Sequence, residues 1–213
     1  MNIYLKKALD FASEVIFPRN CIGCETPGTL LCADCKNTIL PVPFIGAGAF
    51  AACAYKGLIP KIFVAIKLRK ESRYISVLGD LLIEAINKNY ALKENLSQAE
   101  ITFIPMHWMK QNIRGFNQSE LLADQIAKHF DKKPIMLLKR SKFGLRQSSL
   151  DKVQRQENIK DIFQISFKNL SLSGKNIVLI DDIRTTGATL DAASHVLLNA
   201  GAKSVFKIAA AQD

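Results

Sequence analysis

Residues 177–190 read Ile-Val-Leu-Ile-Asp-Asp-Ile-Arg-Thr-Thr-Gly-Ala-Thr-Leu. A run of apolar, mostly β-branched residues bounded by polar ones predicts a buried strand of a parallel sheet over Ile177–Ile180. Asp181 and Asp182 then stand at the C-terminal edge of that strand, where open α/β sheets bind their ligands. Thr185, Thr186, Gly187, Ala188 and Thr189 follow, and lead into the helical pattern Leu190, Ala193, Val196, Leu197. A Thr/Gly loop entering a helix offers free backbone N–H groups, hydroxyls and the positive end of the helix dipole, which together suit a phosphate. The two carboxylates suit ribose hydroxyls, or a magnesium ion held through water. The stretch therefore predicts a site for a phosphorylated sugar. The plainer alternative is a strand–turn–helix whose acids only cap the helix, but a cap needs neither two acids nor a Thr-Thr-Gly-x-Thr run.

Outward from this stretch the pattern is α/β. Ile101–Ile104 predicts a strand, Pro105-Met106-His107-Trp108 the loop at its end, and Glu120–Phe130 a helix with Gln118 and Ser119 near its start. Met136–Leu138 predicts a short strand, and Val205–Ala210 a last one after Gly201 ends the preceding helix. Strands separated by helical patterns imply a parallel sheet flanked by helices. Upstream, Phe50–Tyr55 reads as a short strand, with a basic helix beginning near Pro60 and an amphipathic helix over Ile75–Tyr90. The expected organisation is an N-terminal helix and four-cysteine module over 1–45, a strand and helical connecting region over 46–100, and the α/β core over 101–213.

Cys21-Ile22-Gly23-Cys24 and Cys32-Ala33-Asp34-Cys35 supply four soft ligands in two Cys-x-x-Cys knuckles, the donor set of a closed tetrahedral zinc site. The gap between the pairs is short, yet Pro27 and Gly28 can turn the chain back within it. Two disulfides are the alternative, and a cytoplasmic chain opposes them. A redox motif is a third reading, though it gives no reason for two copies. Cys53, among small apolar residues, reads as a core thiol. Leu5, Ala8, Leu9, Ala12, Val15 and Ile16 mark an amphipathic helix over Ile3–Phe17, expected to pack on its own domain or on the cysteine module.

A chain of 213 residues has ample length for a core. It lacks the run of about eighteen apolar residues that a membrane span needs. Asp10 and Glu14 interrupt what a signal peptide would keep apolar, so a cytoplasmic location is expected. Twenty-nine basic against 19 acidic residues leave a net charge of +10, which points to an anionic partner such as nucleic acid. The excess is dense from Lys139 to Lys160, with seven basic residues against two acidic ones. Arg140, Phe143, Arg146 and Arg155 there combine backbone-binding charge with an aromatic for stacking, as a single strand requires. The same composition suits a loop that closes over pyrophosphate, or simply a solvated charged loop.

The stretch 177–189 resembles the 5-phosphoribosyl-1-pyrophosphate (PRPP) signature of type I phosphoribosyltransferases. The resemblance implies that Asp181 and Asp182 take the ribose hydroxyls, that Thr185–Thr189 hold the 5′-phosphate, that magnesium accompanies the ligand, and that the loop at Met106 and His107 takes the pyrophosphate. In many purine-salvage enzymes an acid that contacts the base stands where this chain has Thr185. The blocks Ile113-Arg114-Gly115-Phe116-Asn117-Gln118-Ser119 and Lys139–Phe163, together with the double knuckle, resemble the ComF family of competence proteins over roughly Phe17–Ala210. Trp108 and Met109 depart from that family, which usually continues with basic residues at this point. The resemblance implies a phosphoribosyltransferase-like fold, handling of incoming single-stranded DNA, with Arg114 contributing to its track, and contact with a DNA-uptake helicase or pore. A conventional transferase of nucleotide salvage is the other reading. Whether the chain turns over any substrate stays open at this point.

Overall fold

The computed structural model describes residues 19–42, 48–140, 162–166 and 171–213. The amphipathic pattern of Ile3–Phe17 and residues Phe143, Arg146 and Arg155 lie outside the described residues. The described elements are α1 (Ala33–Asn37), β1 (Ala49–Ala54), α2 (Ile59–Lys67), α3 (Tyr74–Asn87), α4 (Tyr90–Gln98), β2 (Glu100–Phe103), α5 (Trp108–Arg114), α6 (Gln118–His129), β3 (Leu138–Arg140), β4 (Phe163–Ile165), β5 (Asn176–Arg184), α7 (Ala188–Asn199) and β6 (Ser204–Gln212).

Four strands form one parallel sheet in the order β1-β6-β5-β2. Alternate side chains of β5 feed two cores, as the two-residue period of a strand requires. Val178 and Ile180 join Ile62, Phe63, Leu78, Leu82, Leu122 and Ile126 of α2, α3 and α6. Ile177 and Leu179 join Leu190, Ala193 and Leu197 of α7. With helices on both faces, Ile177–Ile180 are at most 1% exposed, which accounts for a continuous apolar run rather than an alternating one. Each fully buried Leu or Ile contributes about 1.5–3 kcal/mol. This is the phosphoribosyltransferase-like architecture expected from the sequence, a parallel sheet flanked by helices.

Three local expectations are revised. The strand predicted to end at Ile180 continues through both acids to Arg184, because β6 keeps pairing beside it: Asp181 aligns with Ala209, Ile183 with Ala211 and Arg184 with Gln212. Met136–Leu138 does not join the parallel sheet. The Leu137 N–H is taken by Ile135 O and Thr102 Oγ1, and the strand forms two residues later, as β3, antiparallel to β4. Phe163 and Ile165 alternate with Gln164 and Ser166, so the signal for β4 stood in the sequence. The segment after Asn87 is helical again. Asn89 has extended backbone and its side chain accepts from Leu92 N, starting α4 as a fresh helix.

The cysteine module folds ahead of β1 and docks on the α2/α3 face through Ile22, Leu30, Leu31 and Ile39. Lys36 of α1 pairs with Glu84 of α3 across this contact.

Candidate functional site

The C-terminal ends of β2 and β5 open into a cleft of about 230 Å³. Asp181 and Asp182 form its floor, each no more than 9% exposed. Ser119, in the first turn of α6, donates its hydroxyl to Asp181 Oδ1 at 2.8 Å, and the Asp182 N–H donates to the same oxygen at 2.8 Å. Asp182 is paired instead with Lys67 Nζ at 2.9 Å, at the last residue of α2. Burial, and then the neighbouring Asp182, push the Asp181 carboxyl up to about 7, against the hydrogen bonds that favour its charge. An acid buried this way and held above its ordinary range is a mark of a binding or catalytic site.

Basic side chains line the same cleft. Lys110, Arg114 and Arg140 line it together with Met106 and His107. Burial lowers the pKa of both Arg114 and Arg140, with Asp182 and Asp181 respectively opposing the shift. Arg140 also lies over the Phe163 ring, 5.7 Å from its centroid. The structure therefore brings Arg114 and Arg140 into the wall of the same cleft as the acids, with Thr189 at its edge.

Two of the anticipated loops differ in form. Thr185, Thr186 and Thr189 are exposed, and Gly187 caps α7 at a φ of 86°. The Gln212 side chain ties this loop to the end of β6, accepting from Arg184 Nη1 at 2.7 Å and donating to Thr185 O at 3.1 Å. The loop after β2 is short, because Trp108–Arg114 form α5. His107 caps that helix, its Nδ1 accepting from Met109 N at 3.3 Å while its ring stacks on Trp108. Lys67, Lys110 and Ser119 are site residues that the sequence reading did not single out as ligand-facing. Their only signals were the basic ending of α2 and the polar residues around the start of α6.

The four cysteines meet elsewhere, with their sulfur atoms all within 4.8 Å of one another. Cys32 N donates to Cys21 Sγ and Cys35 N to Cys32 Sγ, at 3.4 and 3.5 Å, the arrangement that stabilises metal-bound thiolates. Although burial opposes it, backbone N–H groups from Cys32, Cys24 and Gly23 bring the Cys21 thiol down to about 6. Cys35 is raised to about 12, first by its hydrogen-bonding neighbours Cys21 and Cys32 and then by burial. Gly23 makes the close approach possible: a Cβ there would lie 2.5 Å from Cys35 Sγ. Donor type, number and spacing all fit a zinc-binding module. Cys53 stands apart, buried in β1, donating to Ala210 O at 3.2 Å and held as a neutral thiol by burial.

The sheet, the paired acids at its carboxyl edge and the Thr-rich turn into α7 define a phosphoribosyltransferase-type domain, and residues 117–212 match the phosphoribosyl transferase domain family. The chain belongs to the ComF family of competence proteins. It is 30% identical over 190 residues to competence protein ComFC of Bacillus subtilis, covering 85% of this chain and 72% of that one. It is 29% identical over 103 residues to competence protein F of Haemophilus influenzae, a match spanning 48% of this chain and 45% of that protein. The DNA utilization protein YhgH of Escherichia coli is 26% identical over 193 residues, 87% of this chain and 80% of that one. Among solved structures, a hypoxanthine phosphoribosyltransferase from Staphylococcus aureus is similar at a TM-score of 0.36 and 14% identity, over 66% of this chain and 62% of that one. Among the described residues no helix is long and apolar enough to cross a membrane.

Proposed function

We propose that the cleft binds PRPP or a closely related phosphosugar together with magnesium, and that the protein uses this site while handling single-stranded DNA during uptake. The observation that carries the reading is the placement of Asp181 and Asp182. Both are buried toward the carboxyl end of β5, ahead of the phosphate-suited loop Thr185–Thr189 and in one cleft with Lys110, Arg114 and Arg140. Asp181 and Asp182 accept the ribose hydroxyls, and the Lys67 ion pair holds the Asp182 side chain in place. Thr185–Thr189 receive the 5′-phosphate on hydroxyls and N–H groups at the start of α7. Magnesium, when bound with the ligand, neutralises charge across the diphosphate. Zinc is the metal assigned to Cys21, Cys24, Cys32 and Cys35, in a closed structural site.

The DNA part of the reading rests on the net charge of +10, on Arg140 at the head of a strongly basic segment, and on Trp108, 55% exposed beside the cleft. An uptake helicase or pore is the expected protein partner, on the cytoplasmic side. Calorimetry with PRPP and magnesium tests the central claim: wild type binds, and Asp181→Asn with Asp182→Asn does not, with the fold intact by circular dichroism. Wild-type affinity in the double variant would sink the assignment. Labelled PRPP incubated with nucleobases, amines or single-stranded DNA separates a binding module from a transferase of salvage, because only the transferase releases pyrophosphate.

A further inference from the structure

Gln118 is 2% exposed and lines the cleft, yet its Nε2 has no hydrogen-bond partner among the described residues. Buried polar atoms are nearly always satisfied, so an orphan calls for a cause. The other orphan, Ser166 Oγ, belongs to a rotatable hydroxyl outside the cleft lining. Gln118 has no such freedom. Its Oε1 accepts from Arg114 Nη1, and a guanidinium only donates. Turning the amide over would set N–H against N–H. The unsatisfied group is therefore a donor, and what satisfies it must be an acceptor.

The surroundings narrow that acceptor further. Among the described residues, Lys110, Arg114 and Arg140 take part in none of the ion pairs, whereas Lys67 is paired with Asp182. The cleft is thus divided, with acceptors at Asp181 and Asp182 and donors at Lys110, Arg114 and Gln118. The Arg-Gly-Phe-Asn-Gln block builds the donor end residue by residue. Gly115, at a φ of 88°, ends α5 so that Arg114 lies across from the start of α6. Phe116 packs on the core. Asn117 caps α6 by accepting from Ser119 N and ties it to β2 by donating to Ile104 O at 3.1 Å, which fixes Gln118 as the first residue of the helix. Arg114 is further steadied 4.0 Å from Met106 Sδ.

We infer that Gln118 and Arg114 act as one unit that seats the diphosphate of the phosphosugar, with the Gln118 amide donating to a phosphate oxygen. This rests on the phosphosugar reading above. It adds the Arg-Gly-Phe-Asn-Gln block to the diphosphate contact expected at Met106 and His107, of which Met106 also supports Arg114 and His107 caps α5.

Titration of inorganic pyrophosphate, of PRPP with magnesium, and of ribose 5-phosphate into the full chain tests it. Gln118→Glu keeps an oxygen for Arg114 but replaces the donor with an anionic acceptor. Gln118→Met removes the donor and keeps the bulk, and Arg114→Lys leaves Gln118 intact if either change disturbs folding. Pyrophosphate and PRPP should bind on the order of tenfold or more weakly to each variant, the loss of a hydrogen bond to a charged group. Ribose 5-phosphate should change little. Undiminished pyrophosphate binding in the variants overturns the inference, as does an equal loss for all three ligands. Wild type binding ribose 5-phosphate but not pyrophosphate overturns it while leaving the phosphosugar site standing, and wild type binding none of the three removes both.

Discussion

The cysteine module and the acidic–basic cleft are built on opposite plans. All four thiols of the module come from a 15-residue span, Cys21–Cys35, and local turns alone bring their sulfur atoms within 4.8 Å. The cleft gathers Lys67 from α2, Arg114 from α5, Ser119 from α6, Arg140 from β3 and Asp181 from β5, residues more than a hundred positions apart. A metal site made of neighbours in a small module draws much of its folding free energy from the ion it is built to hold. One made of distant residues depends on the sheet, and its ligand is free to come and go.

The comparison breaks most sharply at the metal. Cys32→Ser removes one sulfur ligand while leaving a hydroxyl that can still cap α1, and zinc supplies on the order of ten kcal/mol to modules this small. Zinc content should fall from one per chain, and hydrogen exchange should accelerate over residues 19–42 while the amides of β5 and β6 stay protected. Equal loss of protection in the sheet would show that the two regions fold as one. The reciprocal change is Leu179→Ala. This side chain is fully buried under α7, so the variant should lose about 2–5 kcal/mol by denaturant unfolding. It should weaken PRPP binding and leave zinc in place.

A smaller effect comes from Asp181. Its folded carboxyl titrates at about 7, against about 4 in an unfolded chain. Between those values the folded protein holds a proton that the unfolded chain has lost. Stability of the ligand-free protein should therefore fall as pH rises from about 4 to 7 and level off above. Asp181→Asn removes that slope, so its melting temperature should exceed wild type at pH 8 and match it near pH 4. Parallel pH profiles for the two proteins would contradict the burial of a charge at this position.

The finest distinction concerns DNA. If the basic segment serves a single strand, affinity should fall by about 0.7 log units per log of salt for each phosphate neutralised. Arg140→Ala, Arg146→Ala and Arg155→Ala together should flatten that slope without changing sequence preference, since contacts to the backbone carry no sequence information. An unchanged slope would assign the segment to the phosphosugar cleft alone.

The sequence by itself determined the elements whose chemistry is local. Four apolar residues followed by two acids and a Thr-rich turn can be read as strand, edge and phosphate loop, because burial on both faces leaves a continuous apolar run. The two Cys-x-x-Cys pairs are equally legible, since their spacing is their geometry. Only the tertiary structure decided what crosses the sheet. Pairing with β6 carries β5 beyond the acids to Arg184, and no residue before Arg184 signals this. Lys67 reads as one basic residue among several until α2 delivers it to Asp182 at 2.9 Å. Gln118 reads as a polar residue at a helix start until packing buries it with one amide hydrogen bond made and its N–H group unmet among the described residues. Desolvation and pairing are properties of neighbours in space, and periodicity along the chain carries no record of them.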